Sequence, residues 1–74
     1  MTEVPLLATV ALVADLPEKG LTRGQMGTVV EFLRSNEEQA LLVEFSDENG
    51  QALAMAAVKL DQLIVLHRGR SEAA

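Results

Sequence analysis

The chain has no cysteine, tryptophan or tyrosine, and only two aromatic residues, Phe32 and Phe45. Without cysteine there is neither a disulfide nor a thiolate zinc site, which suits a reducing compartment. The one histidine, His67, has no run of carboxylates beside it to complete a metal site. Small barrels that stack bases, sugars or proline-rich peptides use exposed aromatic faces, and this chain has almost none to offer. Positive charge is also scarce. Six Lys and Arg stand against eleven Asp and Glu, for a formal net charge of -5. Before residue 67 the only bases are Lys19, Arg23, Arg34 and Lys59. Such a surface repels a phosphate backbone, so nucleic acid is an unfavoured partner. The acids are scattered rather than gathered in a tail, as on a solubilising surface. Long apolar runs are missing too. Residues 4–13 are apolar but too few to span a bilayer, and Asp15 closes the run. Glu3, with no base before that run, argues against a secretory leader. The expectation is a cytoplasmic protein that neither spans nor coats a membrane.

What is present is aliphatic. Hydrophobic residues make up 49% of the chain, so the core must be built from Val, Leu, Ala and Met. At 74 residues the chain is one domain with a modest core and a thin stability margin. Its organisation is expected to be an N-terminal extension over 1–7, a barrel over 8–67 and a disordered tail over 68–74.

Punctuation sets the elements. Residues 8–13 read as a first strand, rich in Val, Leu and Thr. A loop follows over 15–25. In it Pro17 cannot donate to a ladder and biases Leu16 to extended geometry, and Gly20 and Gly24 suit positive φ. Leu16 and Leu21 are apolar inside that polar loop and should tuck it onto the barrel. Residues 27–34 and 39–45 read as strands joined by a polar turn. Asp47-Glu48-Asn49-Gly50 is a hairpin turn in which Asn49 and Gly50 both tolerate positive φ. Residues 51–58 carry good helix formers, but the tight turn before them implies an antiparallel strand. One helical turn over 59–62 and a last strand over 63–66 complete the order. Five short strands, one long loop, two hairpins and a helical turn before the last strand define an all-β, five-stranded, SH3-like barrel. Closing the sheet would remove most exposed edges.

Strict alternation puts Val30, Phe32, Leu41, Val43 and Phe45 on one face. Val29, Leu33 and Leu42 fall on the other, with Met55 added from the fourth strand. Val29, Leu33, Leu42 and Met55 are therefore the candidate interface, because a contiguous outward apolar patch marks a binding surface.

Several stretches together carry a resemblance. Ala11-Leu12-Val13-Ala14-Asp15-Leu16-Pro17-Glu18-Lys19-Gly20-Leu21-Thr22-Arg23-Gly24 is the longest. It is joined by Gly27-Thr28-Val29-Val30-Glu31, Val43-Glu44-Phe45 and Asp61-Gln62-Leu63. Over 9–66 the chain resembles the DUF4926 family of short bacterial proteins, a domain of unknown function. That resemblance implies an SH3-like barrel and carries no activity, cofactor or catalytic residue. Gly24-Gln25-Met26-Gly27-Thr28-Val29-Val30 is also similar to the glycine-valine (KOW-like) motif of RNA-binding barrels. This chain departs from those basic domains by its opposite charge.

No constellation for chemistry emerges. Asp15 and Glu18 could form a carboxylate pair, but Lys19 and Arg23 lie close enough to neutralise them. Asp15 is better read as accepting backbone hydrogen bonds that shape the loop. Gly20, Gly24 and Gly27 lead into a strand rather than a helix N-terminus, so Asp15, Pro17 and these glycines form a structural loop and not a phosphate cradle. Ser35, Ser46 and Ser71 lack an oriented base, and His67 has no evident partner. The sequence therefore points to a non-enzymatic protein-interaction module without catalytic residues, cofactor or metal. An accessory, immunity or antitoxin-like subunit fits that description, bound to a protein partner or to itself. A nucleic-acid-binding barrel using Lys19, Arg23 and Lys59, or a self-assembling structural protein, are the alternatives.

Overall fold

A computed structural model describes residues 4–35 and 38–66. The fold is all-β. Strands β1 (Thr9–Leu12), β2 (Met26–Ser35), β3 (Glu38–Ser46), β4 (Ala52–Lys59) and β5 (Leu63–Val65) form one antiparallel sheet in the order β4-β3-β2-β1-β5. Two 3-10 turns, Pro17–Lys19 and Leu60–Gln62, interrupt the connections before β2 and β5. The Ala-Met segment is a strand, as its turn demands. Every residue of β4 from Ala54 onward faces a β3 partner, from Ala54 opposite Phe45 to Lys59 opposite Ala40.

Hydrogen bonding does not remove the sheet's edges as expected. β4 and β5 are its two ends, and the 3-10 turn Leu60–Gln62 carries the chain from one to the other. Side chains bridge the gap instead. Val58 of β4 and Leu63 of β5 belong to the same buried cluster as Val10, Leu12, Val29, Leu41, Val43 and Phe45.

The β2–β3 ladder contains the main departure from strict alternation. Val29 faces Val43, but the next pair is Glu31 with Leu42, so Val30 is an extra, bulged residue. A bulge shifts the period by one residue. Cross-strand partners share a face, so Val29 and Phe32 lie on the same side of the sheet as Leu41, Val43 and Phe45. Val29 is consequently no surface residue: it is 0% exposed, in the centre of the core. Leu33 and Leu42 do lie on the opposite face, each half-buried.

Phe32 reaches the core face without reaching the core. β1 pairs β2 only from Met26 to Thr28, so beyond Val29 the hairpin runs out past the strand that would cover it. Phe32 stays 54% exposed, whereas Phe45 is completely buried.

Two further details correct the sequence reading. The β3–β4 turn has positive φ at Gly50 (82°) and not at Asn49. Asp47 closes it as a three-residue loop, its carbonyl accepting from Gly50 N–H at 3.0 Å and its N–H donating to Gln51 at 2.9 Å. Its Oδ1 also accepts from the N–H groups of Asn49 and Gln51 at 2.8 and 2.9 Å. One left-handed residue completes a type I turn in such a hairpin. Gly27 is not a loop glycine either. It sits in β2 opposite both Val10 and Phe45, and a Cβ there would meet Val43 Cγ1 at 2.6 Å and the Glu44 carbonyl oxygen at 2.8 Å.

Candidate interaction surface

The β1–β2 loop, the most motif-like part of the chain, is an internally bonded structural unit. Leu16 and Leu21 form a two-way bridge, with N–H to carbonyl distances of 2.9 and 3.1 Å, and both are buried. They turn the loop inward. The residues between them form the 3-10 turn, which Pro17 starts and Gly20 ends at φ 70°. Asp15 Oδ1 accepts from the Arg23 N–H at 2.8 Å, tying the start of the loop to its end. Gly24 N–H donates to the Leu12 carbonyl at 2.8 Å, and Leu12 N–H donates to the Gln25 carbonyl at 3.0 Å. Gln25 adds a bond that the sequence reading did not anticipate, its Oε1 accepting from Thr22 N–H at 3.0 Å.

Asp15 thus spends one oxygen on the backbone, and Glu18 stands exposed on the 3-10 turn. Of the serines, Ser46 is half-buried at the end of β3, while Ser71 and His67 lie outside the described residues. The tail over 68–74 lies outside them as well. Among the described residues no polar or charged side chain is buried. No three His, Cys, Asp or Glu among them stand close enough to share a metal ion. No helix among them is long and apolar enough to cross a membrane.

The outer face of the sheet is richer. Along the ladders Met26 pairs with Ala11, and Ala11 pairs with Ile64. This is an in-register row across β2, β1 and β5, with Met26 and Ile64 exposed on either side of a small residue. Val13, two residues beyond Ala11, is exposed as well. The row was not singled out from sequence. Its signal was present in the parity of Met26 against Gly27 and of Ile64 against Leu63. Of the sequence-derived candidates, Met55 is exposed on the same face. Its neighbour in β3 is Glu44, and Leu42 lies opposite Glu31, so acids interrupt the apolar surface on the β2–β4 side.

Two smaller apolar features flank this face. At the end of the β2–β3 hairpin, Phe32, Leu41 and Leu60, with Arg34 and Gln39, line a groove of about 220 Å³. Before β1, Ala8 N–H donates to the Pro5 carbonyl at 3.1 Å, closing a turn with Leu7 at φ 69°. That position of a type II turn favours glycine, yet Leu7 is there and 69% exposed. Its N–H donates to the Val29 carbonyl at 2.7 Å, which holds the turn against β2.

The chain matches the family model described as Domain of unknown function (DUF4926) over residues 6–65. It belongs to that family. No curated protein and no solved structure matches it.

Proposed function

We propose that this domain is a non-enzymatic, cytoplasmic protein-interaction module that docks a partner on the outer face of its sheet. The observation that carries this reading is the in-register row of Met26, Ala11 and Ile64, in which large apolar side chains stand exposed around a small one. Scattered exposed aliphatics are ordinary, but a ladder-aligned row on a strand scaffold is a surface on which a partner can pack closely. The net charge of -5 and the outward Glu31 suit a partner that is apolar at its centre and basic at its rim. Opposite charge of that kind steers encounter and suppresses wrong partners. An accessory, immunity or antitoxin-like subunit has this physical form.

The test is capture from native lysate by the wild-type chain and by a Met26→Lys/Ile64→Lys variant with an unchanged thermal melt. A protein retained by the wild type and lost by the variant supports the reading. Equal retention by both moves the surface elsewhere. Salt-sensitive RNA binding at low ionic strength would favour the nucleic-acid alternative instead.

A further inference from the structure

The two edges of the sheet are unequal. β5 is three residues long, and a short edge offers little to pair with. β4 is eight residues long, contains no proline and no acid, and ends on a single charge, Lys59. Its one register irregularity faces Ser46, at its start, which leaves residues 54–59 as a regular stretch. Among the described residues the backbone of 54–59 makes one hydrogen bond outside the β3 ladder, from Lys59 N–H to Gln62 Oε1 at the strand's end. Native proteins normally blunt such an edge with charge, proline or a bulge, and here the middle of the strand has none of these.

We infer that β4 is the pairing edge of a two-fold homodimer, in which the β4 strands of two copies run antiparallel about Ala57. The charge pattern selects this occupant and this register. In an antiparallel pair centred on Ala57, Val58 lies beside Ala56 of the second copy and Lys59 lies beside its Met55. Met55, Ala57 and Lys59 alternate with Ala56 and Val58, so all three project from the outer face. Ala57, small and exposed, sits on the axis and lets the backbones approach. Met55, 56% exposed in the single chain, is covered by the stem of the second copy's Lys59. Beyond Met55 in the ladder is Glu44, on the same outer face. Lys59 therefore stands two strand spacings, about 10 Å between backbones, from Glu44 of the second copy. An extended lysine and an extended glutamate close that gap together. The two-fold axis makes the ion pair twice. Parallel pairing through the same free edge would turn the two outer faces to opposite sides of the joined sheet, and Lys59 would not reach Glu44 of the second copy.

Within one chain Lys59 shares a shallow groove with Glu38 and Asp61, the local competitors for its ammonium group. Its N–H is engaged separately, donating to Gln62 Oε1 at 2.9 Å, so a side-chain change leaves that bond in place. The edge-pairing surface is distinct from the Met26–Ile64 row, and the inference stands whether or not that row binds a partner.

Sedimentation of the full chain over a range of concentrations tests the proposal. The wild type is expected to show a monomer–dimer equilibrium. Lys59→Glu and Glu44→Lys should each weaken the dimer about tenfold, and the two together should restore it. Ala57→Lys, which puts two like charges on the axis of an exposed site, should leave a folded monomer. Met26→Lys/Ile64→Lys should leave the dimer intact while abolishing partner capture. A wild type that stays monomeric at every concentration overturns the inference. So does a dimer indifferent to Lys59→Glu, or one that the charge swap fails to rescue.

Discussion

The two phenylalanines occupy the same face of the same hairpin and meet opposite fates. At the hairpin root, Phe45 lies across from Gly27 and among Val10, Val29, Val43 and Val58, and none of its surface reaches water. In the hairpin arm, Phe32 lies across from the buried Leu41, yet more than half of it is exposed. Chemistry, hairpin and face are the same; what differs is the cover. β1 and the β1–β2 loop lie over the root, and β1 stops before the arm begins. Burial in a domain of this size is therefore decided by how far neighbouring strands extend, as much as by which way a side chain points. The root holds the fold together, and the arm is left as surface.

The sharpest way to break this comparison is Phe45→Ala. Removing a fully buried phenylalanine costs about 3 to 5 kcal/mol through lost transfer energy and the cavity left behind. For a domain of this length that approaches the whole stability, so the variant should be largely unfolded at room temperature by circular dichroism. A loss below about 1 kcal/mol would place Phe45 outside the core. Gly27→Ala probes the same root from the other strand. Its backbone has no positive φ, so any cost comes from space alone. One of the atoms a Cβ would strike, the Glu44 carbonyl oxygen, is backbone within the β2–β3 ladder and cannot step aside. Overpacking of this kind costs about 1 to 3 kcal/mol. A denaturation midpoint equal to wild type would show that β2 and β3 are less tightly apposed than 2.6 Å at Val43 implies.

The strands were legible because their punctuation is local. Asn49 and Gly50 announce a hairpin, Pro17, Gly20 and Gly24 a loop, and Leu16 and Leu21 the folding of that loop inward. The Ala-Met stretch shows how far such signals reach: its propensity favours helix, and the turn before it overrides that preference. The bulge at Val30 was not legible. Thr28, Val29 and Val30 are all β-branched, and nothing in their chemistry says which one is extra. That one residue moved Val29 from the candidate interface to the middle of the core. The exposure of Phe32 was hidden for a different reason. It depends on where β1 ends relative to β2, a long-range register that alternation within one strand does not carry. The Met26–Ile64 row depends on three strands at once. Its residues are far apart in sequence, and only the ladder brings them side by side.

The smallest expected effect belongs to the arm. Phe32→Ser removes a large aromatic from a position whose cross-strand partner is buried, so alternation alone would forecast a core-sized loss. The arm's lack of cover forecasts otherwise. Most of the ring already faces solvent, and what goes is part of the wall it shares with Leu41 and Leu60 in the 220 Å³ groove. The expected change in unfolding free energy is about 0.5 kcal/mol or less, the range of surface substitutions. Chemical denaturation followed by circular dichroism resolves this, since the chain has no tryptophan or tyrosine to report by fluorescence. The slope against denaturant should also stay the same, because the area exposed on unfolding scarcely changes. A loss above about 1.5 kcal/mol would mean that the arm folds down over the core in solution and shields the ring. Root and arm would then be one cooperative unit, and the contrast between the two phenylalanines would be one of degree only.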